Sequence, residues 1–486
     1  MGHLKEVRLF QAFTSEGKNR HIGKQTRFYF IMLIVIAQTR LTVISVFLAP
    51  IFLILVFSSY SRAELSSSQT DLHFYEQFEE GVETGLTDPF GFHHYWTEGF
   101  HLDSPKKNIK VRLYGRILAD AGYIEANDGL QSSFPTLEGW RAEFRDLRII
   151  LLGTLYDDII FKFAIDFANI RDIKDLWIGY GKIIPFLGRI RAGHFMEPFS
   201  LEQLTGIANL SFMERALPVQ ALSPGRDAGI MCNNTALGDR LTWSAGAFLL
   251  TGSFSNVGEW SDTLSNTFGT ALTARVTGLP RYTDDGRTLL HLGFSYSHQF
   301  RDDQRTDSDL KIRARPETRL TNDTLVDAGQ FPAAAADLFG GELAMVSGPF
   351  SLQGEYFLGL ADSPSMGNPR FNGFYLSGSY FLTGEHRNYN RSLGVFTGVT
   401  PKQGFHLFEE GWGALEAACR VSYVDLNDKG VRGGKEGNFT FGLNWYLSKK
   451  SRFMFNFIHA RVTDRAEPPI DSGRANIFQV RFQYGL

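Results

Sequence analysis

Over the last fifty residues, side-chain character alternates with a period of two. Asn438, Thr440, Gly442 and Asn444 fall on one side of the chain, and Phe439, Phe441, Leu443, Trp445 and Leu447 on the other. Only an extended strand sorts residues in this way. Two more segments repeat the pattern: Phe453, Phe455 and Phe457, then Phe478, Val480, Phe482 and Tyr484, are set against Asn456, Gln479, Arg481 and Gln483. So aromatic a face needs cover, and segments of helical period that could supply it are almost absent beyond residue 63. A bilayer can supply it. In lipid every backbone N–H and C=O must be paired internally, so strands cross only as a closed barrel, apolar side chains outward and polar ones lining the lumen.

The alternation recurs upstream. Lys110, Arg112, Tyr114 and Arg116 oppose Val111, Leu113 and Ile117, while Ile159, Phe161, Phe163, Ile165 and Phe167 oppose Lys162, Ala164 and Asp166. Further strands are expected near 139–153, 174–182, 188–196, 226–235, 240–251, 267–277, 287–299, 338–347, 350–361, 371–383, 413–425, 438–448, 452–463 and 474–485. The total is about sixteen, an even number as a bacterial single-chain barrel requires. The fold class expected is therefore all-β, a transmembrane antiparallel β-barrel.

Composition sharpens this picture. Among 486 residues there are 43 Phe and 49 Gly, and the mean hydropathy is -0.14. That value excludes a bundle of membrane-spanning helices but suits a barrel whose polar lining offsets its apolar exterior. Two cysteines, Cys232 and Cys419, sit far apart inside expected strands and read as small apolar residues rather than a disulfide framework.

Residues 1–63 read as an export signal. Lys5, Arg8, Lys18, Arg20, Lys24, Arg27, Arg40 and Arg62 stand against Glu6 and Glu16, with apolar runs at 28–36 and 41–57, and Ser61 and Ala63 make a signal-peptidase site before Glu64. The leader is long, and Met32 is an alternative start with Arg40 as its basic flank. Removing 1–63 takes the formal charge from -3 to -9. Residues 64–107, without a sustained period, read as a periplasmic N-terminal extension, and 108–486 as the barrel. If the first strand runs outward, parity puts the short joins at Tyr156-Asp157, Leu237-Gly238-Asp239, Ser347-Gly348-Pro349 and Ser448-Lys449-Lys450 in the periplasm. The long joins 125–138, 197–225, 252–266 and 300–337 then lie outside. The join from Thr383 to Trp412 conflicts with this, being long yet periplasmic; it must enter the lumen or hang below it.

A diffusion pore needs a constriction and charge of one sign rather than a nucleophile or a metal. The 197–225 loop, with Phe199, Leu201, Leu204, Phe212 and Met213, is too apolar for water and is expected to pack back into the barrel. The expected lining cations are Arg112, Arg116, Arg141, Arg145, Arg189, Arg191, Arg215, Arg226 and Arg420, with Arg481, Lys311, Arg313, Arg315 and Arg319 in addition. Arginine's planar fork holds phosphate or carboxylate oxygens and keeps its charge. Asp158, Asp166, Glu143, Glu355 and Glu416 would also face inward and can neutralise this lining. Catalytic signals are weak: histidines are scattered, His93-His94 reads as surface, and neither a Gly-x-Ser-x-Gly elbow nor a Cys-x-x-Cys pair occurs. No cofactor, metal or nucleic-acid partner is expected.

Several strings together resemble the phosphate-selective porin O and P family of Gram-negative outer membranes. They are 197–202 (EPFSLE), 212–215 (FMER), 224–227 (PGRD), 313–317 (RARPE), 381–387 (FLTGEHR) and 442–446 (GLNWY), in the family's order over about 105–486. The resemblance implies a sixteen-stranded barrel, usually a homotrimer, with inward loops forming a throat and arginines that conduct anions towards a phosphate site. It also implies that the turn after Phe381 folds inward, and that the barrel-assembly machinery inserts the chain into outer-membrane lipid. A general porin without phosphate preference, or a barrel plugged by its loops, remains the alternative. Cleavage after Ala63 is expected, so N-terminal sequencing of outer-membrane material should begin at or near Glu64; material retaining the 41–57 run in the inner membrane would contradict it.

Overall fold

The computed structural model describes residues 86–87, 91–168, 172–184, 187–250, 269–301, 309–407 and 411–486, with backbone only at 86–87, Asp172 and Ile183. The leader 1–63, most of 64–90 and the whole of the 252–266 loop lie outside these residues.

Sixteen antiparallel strands follow one another in chain order. They are β1 (Ile109–Ala126), β2 (Gly139–Leu155), β3 (Ile159–Asp166), β4 (Asp172–Ile184), β5 (Gly188–Met196), β6 (Arg226–Ala236), β7 (Leu241–Leu250) and β8 (Gly269–Thr283). The second half comprises β9 (Thr288–Arg301), β10 (Ala335–Ser347), β11 (Phe350–Asp362), β12 (Arg370–Phe381), β13 (Ala414–Asp428), β14 (Val431–Tyr446), β15 (Ser451–Arg465) and β16 (Ile470–Gly485). Each pairs with the next, and β16 returns to β1 in the register Ala475↔Ala126 to Gly485↔Arg116, closing the sheet. The expected strand set is thus observed, several strands running longer than their pattern, as β8 does to Thr283 and β14 does most. β14 starts at Val431, because 431–437, rich in glycine and without alternation, is held by β13 and β15 on either side.

Closure leaves the first residues of β1 beyond the end of β16. A hairpin of His93–Trp96 and Phe100–Asp103 covers that edge, pairing Phe100↔Leu113 through Asp103↔Lys110. Backbone groups that would face lipid unpaired are satisfied in this way. Part of the segment read as an extension is therefore continuous with the sheet.

Short turns gather at one end of the barrel. Tyr156 and Asp157, at φ 55 and 63, turn β2 into β3 as a left-handed pair matched to strand twist, and Gly348 at φ 56 turns β10 into β11. The long joins gather at the other end.

Alternation sorts the side chains as the pattern requires. Phe439, Phe441, Phe455 and Phe478 point outward and are about half exposed (47, 47, 50 and 52%), whereas Asn438, Thr440, Asn444, Asn456, Gln479 and Arg481 point inward and are buried. The outer aromatics form cross-strand ladders, Trp445 to Phe453 to Phe482 with centroids 6.2 and 5.0 Å apart, and Phe457 to Phe478 at 4.9 Å. Such pairs add to strand pairing in the sheet. An arginine placed at Phe441 or Phe455 should lower stability by roughly 2–4 kcal/mol near the bilayer midplane. Denaturant unfolding from lipid vesicles measures this, and unchanged midpoints at both sites would mean that this face does not meet lipid.

Candidate functional site

A sixteen-stranded barrel is wider than its own lining can fill. Three segments enter the lumen of this one. From the long-loop end, residues 197–225 fold in as two short helices, α1 (Leu201–Leu204) and α2 (Leu217–Leu222), with Phe199, Leu201, Met213, Leu217 and Val219 wholly buried. The apolar content that singled this loop out is spent on inward packing, Phe199 lying 6.2 Å from Phe357 of β11.

Polar contacts fix its position. The amides of Leu201 and Glu202 donate to the Glu355 carboxylate of β11 at 2.9 and 2.8 Å, and Ser200 N–H donates to Ser295 Oγ of β9. On the opposite wall Ser211 Oγ donates to Glu416, Asn444 Nδ2 to Ser211 O, Arg452 to Leu210 O and Gln483 Nε2 to Ala208 O. Glu214 is gripped from two strands, by Arg145 of β2 at 2.6 Å and Arg481 of β16 at 2.8 Å. Burial opposes a charge on Glu214, yet Arg145 and then Arg481 overcome it and hold the carboxyl below the usual range. The loop therefore spans the lumen from β9 to β16.

A second insert comes from the same end. Leu310–Ala314 and Val326–Phe331 form a hairpin whose tip carries Glu317, a residue known from the sequence only as part of a family string. Its carboxylate takes Arg420 of β13 at 2.7 Å and the Thr440 hydroxyl at 2.6 Å, and also Ser422. The third insert is the long turn after Phe381, which does enter the lumen. Tyr389 hydroxyl and His291 Nδ1 lie 2.6 Å apart, and Arg275 donates to Leu393 O and Gly394 O at 3.3 and 2.8 Å. Glu342 of β10 joins Arg275, His291 and Ser295 into one hub beneath that turn.

The nine expected arginines divide by partner. Five meet carboxylates: Arg112 with Glu98 at 3.6 Å, Arg116 with Asp146 at 2.7 Å, Arg145 with Glu214, Arg226 with Asp175 at 3.4 Å, and Arg420 with Glu202 and Glu317. Arg112 belongs to the rim rather than the throat, since it also donates to Glu98 O in the hairpin bend. Arg141 donates to the carbonyls of Thr136 and Leu137, and Arg189 to that of Gly181 at 3.0 Å. Arg191 lies over the Phe195 and Trp177 rings at 4.3 and 5.6 Å. Arg215 donates to the carbonyls of Glu202, Gln203 and Thr205, at 2.9 to 3.3 Å. Of the expected wall carboxylates, Asp158 lies instead in the turn at the short-turn rim, 2.5 Å from Lys182.

Strict alternation missed Asp146 and Arg148. A bulge in β2, between the pairs Leu118↔Asp146 and Ala119↔Phe144, shifts the phase so that Arg145, Asp146 and Arg148 all reach the lumen. Arg275 and Arg452 were readable from their strands' own alternation. Changing Glu214 to Gln leaves Arg145 and Arg481 one carboxylate short inside the barrel, and should cost about 3–5 kcal/mol as the breaking of a buried pair. Equilibrium unfolding measures this; an unchanged midpoint would mean that the loop is held elsewhere.

The arrangement supplies walls, inserts and charge but, among the described residues, no cluster of metal-binding side chains. Comparison with known proteins agrees with a pore. An uncharacterized protein of Caulobacter vibrioides is 29% identical over 74% of this chain and 70% of its own length. Porin O of Pseudomonas aeruginosa is 23% identical over 79% of this chain and 90% of its own. Among solved structures, the outer membrane channel DcaP of Acinetobacter baumannii aligns at 13% identity with a TM-score of 0.49, over 78% of this chain and 98% of that one. The sequence profile of one family matches residues 111–486, most of the chain and nearly the whole barrel. The chain is an outer-membrane channel protein belonging to the family described as phosphate-selective porin O and P.

Proposed function

We propose that this porin passes small anions in preference to cations, with phosphate as the favoured solute. The observation that carries the reading is the state of two loop arginines. Arg215 has carbonyl partners, and Arg315, on the 309–334 insert, donates to Asn322 Oδ1 at 3.1 Å while its Nε and one Nη meet no acceptor. Neither is in a salt bridge among the described residues. Burial, and for Arg315 the neighbouring Arg319, push both down to about 10, so both stay charged at neutral pH. They stand beside Arg145, which acts electrostatically on each, in a lumen where five of the nine expected arginines are paired with carboxylates. In a narrow throat of low effective dielectric, such charges outweigh carboxylates near the wide, salt-screened mouths. A guanidinium fork also suits the paired oxygens of phosphate.

The homotrimer belongs to the same reading. An apolar groove on the outside of β5 to β8 is lined by small side chains, Cys232, Ala245, Ala247 and Ala274 among them, where close approach of a neighbouring barrel costs little. The refolded mature chain in planar bilayers tests the whole proposal. Expected are stepwise conductance closing in three equal levels, a reversal potential of anionic sign in a potassium chloride gradient, and block of chloride current by phosphate. Arg315→Gln or Arg215→Gln should weaken selectivity and block, while Arg474→Ala, exposed on β16, should change neither. Cation preference in the wild type would refute anion selection; absence of any conductance would favour the plugged barrel.

A further inference from the structure

The hairpin insert that carries Glu317 rests on the long-loop end of β14, where the sequence reads Val431, Arg432, Gly433, Gly434, Lys435, Glu436. The two glycines make the seat. A Cβ on Gly433 would come within 2.7 Å of the Ala328 backbone, and one on Gly434, at φ 93, would meet Val326 Cγ1 at 3.4 Å. Glycine therefore lets the insert's second strand, Val326–Phe331, lie directly against β14. Glu436 follows on the same strand, paired with Val424 of β13 and Val462 of β15 and wholly buried. Both valines share one apolar core with Leu325 and Val326 of the insert.

An ionised carboxylate in such a place needs a cation, and Glu436 is in no salt bridge among the described residues. Asn438 is the polar side chain beside it on β14, and β13 offers only the neutral Ser422 and Val424. Of the charged groups that face it, Glu317 of the insert is taken by Arg420 at 2.7 Å. Arg465 of β15 donates to the carbonyls of Glu467, at 2.8 Å, and Thr324, and its charge is shared with Asp323 and Asp327 of the insert. On the outer face at this level Lys435 meets Asp425 and Asp464 at 3.8 and 3.5 Å, so the strands here stand clear of lipid. Burial, and after it the charge of Glu317, push the Glu436 carboxyl well above the usual range, against the pull of Asn438 and Arg465.

We propose that Glu436 is a proton-operated latch on the 309–334 insert. While protonated it stays beneath the seated insert. Once its proton passes to water, the carboxylate needs a hydration that the apolar core denies it, and the Val326–Phe331 strand lifts from β14 and widens the lumen. With that strand lifted, Glu436 is an ordinary hydrated carboxyl; with it seated, the proton is kept to higher pH. Seating is therefore strongest below the ordinary carboxylate range and weakens as pH rises through the interval between the two states. Across that interval the ratio of lifted to seated insert changes by up to about tenfold per pH unit. The latch acts on the width of the lumen whichever ion passes, and so stands apart from the anion-selective reading.

Single-channel conductance in symmetric potassium chloride, from about pH 5 to about pH 9, tests this on the refolded mature wild type, on Glu436→Gln and on the double variant Asp323→Asn with Asp327→Asn. Trypsin cleavage at Arg313, Arg315 and Arg319 is followed in parallel and reports the insert even where no current flows. Wild type and variant are compared at each pH, so the protease's own pH response cancels. Expected are conductance and cleavage that rise with pH in the wild type and in the double aspartate variant. Glu436→Gln, neutral and of the same shape, should keep the low values of acid pH throughout. A pH response in Glu436→Gln equal to that of the wild type would overturn the latch, as would a wild type unresponsive to pH in both measurements. Loss of the response in the double aspartate variant would place the sensor on the insert itself and overturn it too.

Discussion

The structure depends on one constraint, that no backbone amide may be left unpaired where lipid surrounds the sheet. Closure of β16 onto β1 meets it over residues 116–126, and the 93–103 hairpin meets it over 110–113 where β16 has ended. Once the sheet is closed, alternation leaves no choice about where polar side chains go. Asn438, Thr440, Asn444, Asn456 and Gln479 face the lumen because their neighbours Phe439, Phe441, Phe455 and Phe478 face out. A wall built in this way carries many polar groups that need partners, and it is those groups that receive the inserts.

The inserts bring their own apolar mass, and this decides their depth. Phe199, Met213, Leu217 and Val219 would be costly in water, roughly 1.5–3 kcal/mol each for a large side chain. Inside the barrel Phe199, Leu217 and Val219 share a core with Phe357, Phe371 and Val424, and Met213 is wholly buried. Ion pairs then set orientation more than stability, since burying two charges uses up much of what their attraction returns. Glu214 and Glu317 act in this way, each tying one loop to strands on the far wall. The same pairs remove arginines from service as free charges. Of the nine arginines expected to line the pore, those with carboxylate partners fix loops or line the wall, so charge available to a solute is a matter of what the loops leave over.

How far the pore could be read from the sequence follows from this division. Strand positions were legible, because a period of two survives in almost every strand, including short ones such as β3. The exceptions are informative. Residues 431–437 become strand through their neighbours alone, and the β2 bulge breaks the phase by one residue, which hid Asp146 and Arg148. The inward loop was legible from its apolar content. Partners were not, since Arg145 meets Glu214 across 69 residues and Arg481 meets Asp120 across 361, separations that no local pattern reports. The long turn was legible only as a conflict of parity; the residues that resolve it, Tyr389, Leu393 and Gly394, match the Glu342 hub only in three dimensions.

The two ends of the lumen are brought into register by one strand. Successive inward residues of β11, Ser351, Gln353 and Glu355, address different inserts: Glu355 receives the Leu201 and Glu202 amides of the loop, and Gln353 receives Arg387 of the turn. Tyr375 of β12 bridges them, accepting from Gln353 Nε2 at 2.6 Å and donating to Glu355 at 2.7 Å. Loop and turn thus share a continuous chain of hydrogen bonds seated on paired strands, and a site borne on strands is held more narrowly than one borne on loops. An apolar wall of the same shape would bury both inserts but leave them free to slide along it. The polar lining that a barrel is obliged to carry is therefore also what keeps its constriction at a defined width.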